Sequence, residues 1–233
     1  MCNFRLDLEL EFDTALNVGS GSMSESWADK PFVRDWRGLP VIPASSLKGR
    51  LRHECERLAR ALYGEQRCQA PNPDTMCQVD PHSENVEGRL CPTCRLFGSP
   101  WYESPVAFSD LELKEPAFLL HPKYSPRTSL RYGVALSRHR RVAEEHLLYT
   151  TEVFEPGGAL VFAGTIEGRA ADGDLALLVG GLDSLFTLGG GKSRGLGWFK
   201  SGMRLYRVQD DGTDEEIPLE EIRGRFGDEV DQA

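Results

Sequence analysis

Residues 188–199 read Leu-Gly-Gly-Gly-Lys-Ser-Arg-Gly-Leu-Gly-Trp-Phe, and no regular element can run through them. Five glycines within ten positions leave the backbone without the side chains that would hold it in a helix or strand, so the chain must turn here. Upstream, Asp174 to Thr187 sets Leu175, Leu178, Leu182 and Leu185 at spacings of three and four, which predicts a helix. Downstream, Trp198 to Val208 reads as a strand.

The same stretch points to chemistry. Gly190, Gly191, Lys192, Ser193 and Arg194 combine bare main chain with two cations, a composition suited to close approach by a phosphate backbone. The Gly-Lys-Ser at 191–193 is not a nucleotide-binding P-loop. That motif needs a glycine where Phe186 stands, a strand before it and a helix after it. A plain helix-ending connection at Gly189 accounts for one or two of the glycines and for neither cation.

The net charge of -9 is unevenly spread. From Asp210 to the end, ten acidic residues face only Arg223 and Arg225, which leaves the rest of the chain close to neutral. We therefore read 209–233 as an acidic tail, a solvated end. Between Arg34 and Arg60, seven basic residues outnumber three acidic ones, and a local basic region can bind phosphate whatever the overall charge. No apolar run approaches membrane-spanning length, and a cytoplasmic protein is expected.

Phe4, Leu6, Leu8, Leu10 and Phe12 alternate with polar residues, as a half-buried strand requires. Asn17 to Asp35 is a long polar loop whose one well-placed carboxylate is Asp29. A helix follows from about Ser46 to Leu62, with Ser45 or Ser46 as N-cap. Lys48, Arg50 and Arg52 in its first turns oppose the helix dipole, which is easier to understand if an anion docks at that end.

Cys91-Pro-Thr-Cys94 can chelate zinc from one turn, in a closed structural site. Cys68 and Cys77 are the preferred partners; His82, Cys55 and His53 are substitutes, and a redox pair is the minor alternative. Val106 to Leu113 reads as a strand. Pro116 to Glu145 interleaves Arg131, Arg138, Arg140 and Arg141 with Tyr124 and Tyr132, which suits contact with phosphates and bases. Strands at Leu147–Phe154 and Ala159–Gly168, joined through Pro156-Gly-Gly, complete an α+β order that fits a ferredoxin-like (RRM-like) core with insertions.

Ile42-Pro-Ala-Ser-Ser-Leu-Lys-Gly-Arg-Leu-Arg, Cys91-Pro-Thr-Cys-Arg-Leu-Phe-Gly and Gly-Gly-Gly-Lys-Ser-Arg-Gly-Leu-Gly resemble, in that order, signatures of the RAMP superfamily. These are the RNA-binding subunits of CRISPR effector complexes. Asp29-Lys-Pro-Phe-Val-Arg-Asp followed by Gly-Leu-Pro-Val-Ile-Pro is similar to the repeating backbone subunit of type III complexes.

That resemblance implies one RAMP domain over 1–208, with a zinc-binding insertion at about 63–104 and a thumb hairpin at about 115–148. It implies guide RNA, complementary target RNA, further copies of the chain and other effector subunits as partners. It places Asp29 where the family has an aspartate needed for target RNA cleavage with Mg2+ or another divalent cation. Gly133-Val-Ala-Leu-Ser-Arg-His-Arg-Arg resembles the thumb-adjacent stretch, with Ser137-Arg138 where the family usually has Asp-Arg. Lys48, Arg50, Arg52, Lys192 and Arg194 are the expected guide-phosphate contacts, with Arg138 and Arg140 further RNA contacts. The alternatives are an RNA-binding subunit without cutting activity, and a precursor guide RNA endonuclease.

Overall fold

A computed structural model describes the chain except residues 20, 22–27, 65–67, 81–85, 115–126, 156–159, 210–211 and 226–233, together with the side chains of 63, 127 and 146. His82, Tyr124 and the Pro156-Gly-Gly connection lie outside the described residues.

The architecture is α+β, built on antiparallel sheets. Its centre is β1 (Cys2–Phe12), in which every second residue from Phe4 to Phe12 is buried, as the alternation requires. The other elements, in chain order, are β2 (Val41–Ile42), α1 (Ala44–Tyr63), α2 (Pro92–Phe97), β3 (Val106–Phe108), β4 (Leu111–Leu113), β5 (Arg127–Leu136), β6 (Ala143–Glu155), β7 (Leu160–Ala170), α3 (Asp172–Asp183), β8 (Phe199–Val208), β9 (Asp214–Ile217) and α4 (Leu219–Gly224). The main sheet runs β2-β4-β7-β1-β8-β9, with β3 also on β7. β1 pairs with β7 along its whole length, from Cys2 opposite Ala170 to Phe12 opposite Leu160. Taken as strand, helix, strand, strand, helix, strand, with β4, β7, β1 and β8 side by side, this order is consistent with a ferredoxin-like core.

α1 and α3 cover one face. Leu47, Leu51, Cys55 and Ala59 of α1 and Leu175, Leu178 and Leu182 of α3 are all buried in one cluster with the β1 side chains. The helices approach closely because α3 has Gly181, where a Cβ would stand 2.5 Å from Cys55 Sγ. The Cys55 thiol donates to Leu177 O at 3.5 Å, so this cysteine serves helix packing.

Four expectations are corrected. α1 starts at Ala44, and neither Ser45 nor Ser46 caps it. The Asp110 carboxylate instead accepts from Ala44 N at 2.7 Å, so the anion at that helix end is the protein's own. α3 stops at Asp183, because the chain must turn toward the glycine loop, which Thr187 and Trp198 close by bridging. Val106–Leu113 forms two short strands, β3 and β4, on successive stretches of β7. The acidic C-terminal stretch is partly built in: β9 pairs with β8, Ile217 and Ile222 are buried, and Arg223 grips Asp183 through two bonds of 2.8 Å.

β5 and β6 form a separate two-stranded ribbon. Tyr132, Leu136 and Leu148 on it are exposed, so packing fixes it mainly at its base, where Val153 and Phe154 are buried. Among the described residues no helix is long and apolar enough to cross a membrane.

Asp110→Ala leaves the Ala44 N–H without its carboxylate. The expected cost is about 1 kcal/mol of stability in urea denaturation, with Asp110→Asn recovering part of it.

Candidate nucleic-acid interface and metal centre

The open face of the main sheet is a poor platform for bases. Between its buried residues β1 presents Arg5, Asp7, Glu9 and Glu11, and Glu9 is paired with Lys114 at 2.6 Å. Tyr206 is already covered by the Arg5 guanidinium at 4.8 Å. Bases stack on free aromatic rings and phosphates avoid carboxylates. The candidate surface lies elsewhere, where the glycine loop, the Asp29 loop and the base of the ribbon converge.

Asn17 joins these three parts. Its backbone oxygen accepts from Gly190 N at 2.8 Å, and its buried side-chain amide donates to Glu152 O at 2.6 Å. Gly197 N bonds Ala15 O and Leu188 N bonds Gly197 O, which stitches the glycine loop to the chain leaving β1. Two glycines are required by this folding alone: at Gly189 (φ 86°) and Gly197 (φ 72°) a Cβ would overlap Asn17 O and Leu188 O respectively. Close approach of a ligand is therefore not the reason for every glycine in the loop. Gly195 does face open space.

Lys192, Ser193 and Arg194 form one 3-10 turn between left-handed Gly191 and Gly195. The turn sends its two cations apart. Lys192 lies near Arg50; burial lowers its pKa first, and the Arg50 charge adds to the effect. Arg194 reaches the ribbon instead and donates to the Tyr149 hydroxyl at 2.6 Å.

The expected cluster at the start of α1 also divides, because residues two apart on a helix point in nearly opposite directions and residues four apart share a side. Arg50 faces the glycine loop and pairs with Glu54 at 2.7 Å. Lys48 and Arg52 face the other way, into an open cleft of about 690 Å³ bordered by Phe97, Tyr102 and Val106. Lys48 stands 5.6 Å above the Phe108 ring, and burial lowers its pKa. Arg52 is committed to structure: it holds Glu56 at 3.0 Å, Gly98 O at 2.9 Å and Cys94 Sγ at 3.5 Å.

Asp29 is exposed at the edge of the ribbon. Its Oδ2 accepts from Thr150 N at 2.6 Å and Thr150 Oγ1 at 2.8 Å, while its own N–H donates to Thr150 Oγ1 at 2.9 Å. These bonds, the backbone one foremost, hold its carboxyl below the usual aspartate pKa. Lys30 N then bonds Thr150 O, and Glu152 N bonds Lys30 O, so the loop lies along β6 like a short added strand. The buried Glu152 carboxylate fixes that register by accepting from Phe32 N at 2.9 Å and Arg34 at 2.5 Å.

The Lys30 ammonium sits 4.6 Å above the Tyr149 ring. Gly133 opposite it has no Cβ to displace that ring. Nothing in the sequence marks Tyr149, Thr150 or Glu152 beyond strand alternation; their importance comes from pairing with a loop more than a hundred residues away. Arg138 and Arg140 lie at the exposed ribbon tip, apart from this cluster, and Arg140 pairs with Glu144 at 2.9 Å.

Cys68, Cys77, Cys91 and Cys94 come together, with all four Sγ atoms within 4.8 Å of one another. Four thiolates about 2.3 Å from one zinc ion stand about 3.8 Å apart, so the set fits a closed tetrahedral site and leaves no open position for chemistry. Cys91 caps α2, accepting from Cys94 N at 3.4 Å, and Pro92 takes the first helical position. Hydrogen bonds from Cys91 and Cys68, with the Arg52 charge, bring the Cys94 thiol down to about 5, while Cys68 and Cys91 are pushed up. One negative charge is welcome there and further ones need a cation.

A family model for the RAMP superfamily matches residues 9–200, most of the chain. The chain belongs to the RAMP superfamily. A search of curated proteins finds no match. RAMP membership makes this a CRISPR-associated RNA-binding subunit, and the motifs that carried the resemblance now have places. The first spans β2 and α1, the second the cysteine cluster with α2, and the third the turn between α3 and β8.

Metal analysis of the purified RAMP chain should find one zinc per molecule, lost in Cys94→Ser. Because Cys68 and Cys91 hold their protons, zinc must displace them, so competition with a chromogenic chelator should show binding tightening as pH rises.

Proposed function

We propose that this chain is the guide-RNA-binding backbone subunit of a type III CRISPR interference complex and that it also cuts complementary target RNA through Asp29. The observation that carries this reading is the placement of Asp29. An exposed, ionised carboxylate accepts two hydrogen bonds from Thr150 of the ribbon, with the Lys30 ammonium next to it in the chain and Arg194 of the glycine loop on the neighbouring Tyr149.

In this reading the ribbon of β5 and β6 is the thumb that interrupts the guide-target duplex, and copies of the chain stack along the guide. Arg50 and Lys192 contact guide phosphates without reading sequence, which suits a guide whose sequence varies. Lys48 is placed to contact RNA only if the strand enters its cleft. Arg52 acts through the metal centre.

RNA carries its own nucleophile, the 2'-hydroxyl, so the protein's task is to set one nucleotide in line and to manage charge. A depressed pKa makes Asp29 a weak proton acceptor at neutral pH and a dependable negative charge. Positioning Mg2+ is thus the better role for it. Among the described residues no group of three or more metal-ligating side chains includes Asp29, so a metal held there would depend on few protein ligands from the described residues. Mg2+ commonly binds through one or two carboxylates, with substrate phosphates and water completing its shell.

The second reading, an RNA-binding subunit that does not cut, is favoured by one observation: Asp29 also has a structural task, because its carboxylate satisfies the Thr150 N–H. The experiment must separate the two. Asp29→Asn keeps an acceptor for Thr150 and removes the charge, whereas Asp29→Ala removes both. The nuclease reading expects the assembled complex to cut labelled target with Mg2+ and not with EDTA, both variants to be inactive, and Asn to preserve assembly and target affinity. Target cutting by Asp29→Asn at the wild-type rate would leave the purely structural reading.

A further inference from the structure

The glycine loop was expected to give both its cations to the guide, yet Lys192 and Arg194 point to different places. Lys192 meets Arg50 on α1, and Arg194 meets Tyr149 on β6. Tyr149 precedes Thr150, the residue that holds Asp29, and Lys30 follows Asp29. One aromatic ring therefore has a guanidinium on its hydroxyl at 2.6 Å and an ammonium over its face at 4.6 Å. Among the described residues, neither Lys30 nor Arg194 has a carboxylate within ion-pair distance. Two exposed cations thus converge on one hydroxyl, a residue away from a fixed carboxylate, an arrangement suited to receiving an anion.

We propose that Lys30, Tyr149 and Arg194 form a phosphate subsite for the scissile linkage of the target RNA, and that Arg194 serves the cleavage rather than the guide. This rests on the nuclease reading of Asp29.

The chemistry balances without any oxidant, reductant or further co-reactant. The target's 2'-oxygen forms a bond to phosphorus as the bond from phosphorus to the 5'-oxygen breaks. The 2'-hydroxyl proton leaves to water, and the departing 5'-oxygen takes a proton from water. Negative charge grows on the non-bridging oxygens as the phosphorus becomes five-coordinate, and preset cations and donors act most strongly there.

Arg194 donates to the Tyr149 oxygen, so the tyrosine's own proton is not used in that bond and can be given to a phosphoryl oxygen. The same bond, with the Arg194 and Lys30 charges, makes Tyr149 more acidic than an ordinary tyrosine. Gly133 keeps the ring in place, since a Cβ there would run into it.

The test is single-turnover cleavage by the assembled complex at saturating target, with target affinity measured in parallel by filter binding. Arg194→Gln should cut about 100-fold more slowly at unchanged affinity, with Arg194→Lys recovering part of the rate. Tyr149→Phe, which keeps the ring and its packing, should cut about tenfold more slowly and decides the matter if Arg194→Gln does not assemble. Wild-type rates in Arg194→Gln and Tyr149→Phe, beside an inactive Asp29→Asn, would overturn the subsite and leave the nuclease reading standing. Weakened affinity at an unchanged rate would return Arg194 to the guide. Full cutting by Asp29→Asn, or none by wild type, would remove the nuclease reading and this subsite with it.

Discussion

The buried pairing of Asn17 with Glu152 is the contact on which the candidate site depends. Through it the chain leaving β1, the root of the ribbon and the glycine loop share one small set of hydrogen bonds. Glu152 brings a carboxylate into the interior, which is unfavourable unless both its oxygens find donors. Arg34 and the Phe32 N–H are those donors, and both come from the loop that carries Asp29. The register of that loop is thereby tied to the same residue that anchors the ribbon. Because Arg34 stays partly exposed, losing it costs less than breaking a fully buried pair, and the intact pair adds little to stability. Its contribution is to allow one arrangement of loop and strand and to penalise slipped ones.

A second constraint acts on α1 from its other side. Arg52 lies between Glu56, Gly98 O and the Cys94 sulfur, so the metal centre and the helix share a side chain. Arg95 continues the bracing by gripping buried Asp174 of α3 with two bonds, 3.0 and 2.7 Å. The cysteine cluster is therefore tied to both helices that back the main sheet. A closed zinc site in this position would stiffen the far side of α1, opposite Arg50, which faces Lys192 of the glycine loop. The division of labour follows from helical geometry: one basic run in sequence becomes two surfaces in space.

Much of this was legible from the sequence. Alternation in Phe4–Phe12 fixed the central strand and its buried face, and leucine spacing placed α1 and α3 within a few residues. Cys68 and Cys77, the preferred partners of the Cys-x-x-Cys pair, do cluster with it. What could not be read was long-range. Asp110 occupies the N-terminus of α1 from 66 residues away, a role that local capping preference assigned to serine. Strand periodicity marked 147–154 correctly but could not say that it pairs with β5 in a separate ribbon. The acidic stretch reads as solvated by composition, yet Ile217 and Ile222, two apolar residues in it, are enough to dock β9 and α4.

The two uses of Asp29 also explain why a lone aspartate says so little in sequence and more in context. As a cap it ends the added strand by taking the Thr150 N–H, an ordinary task that asparagine or serine can perform. As a charge it is held in a fixed place, and the bonds that hold it also keep it ionised. A residue under both demands gains rigidity from the first that serves the second. Catalytic positioning needs the carboxylate immobile before substrate arrives, and a backbone ladder supplies that more firmly than side-chain packing on an exposed loop. The structural bond and the proposed chemical role are thus not competing explanations. The first is the physical condition under which the second can operate.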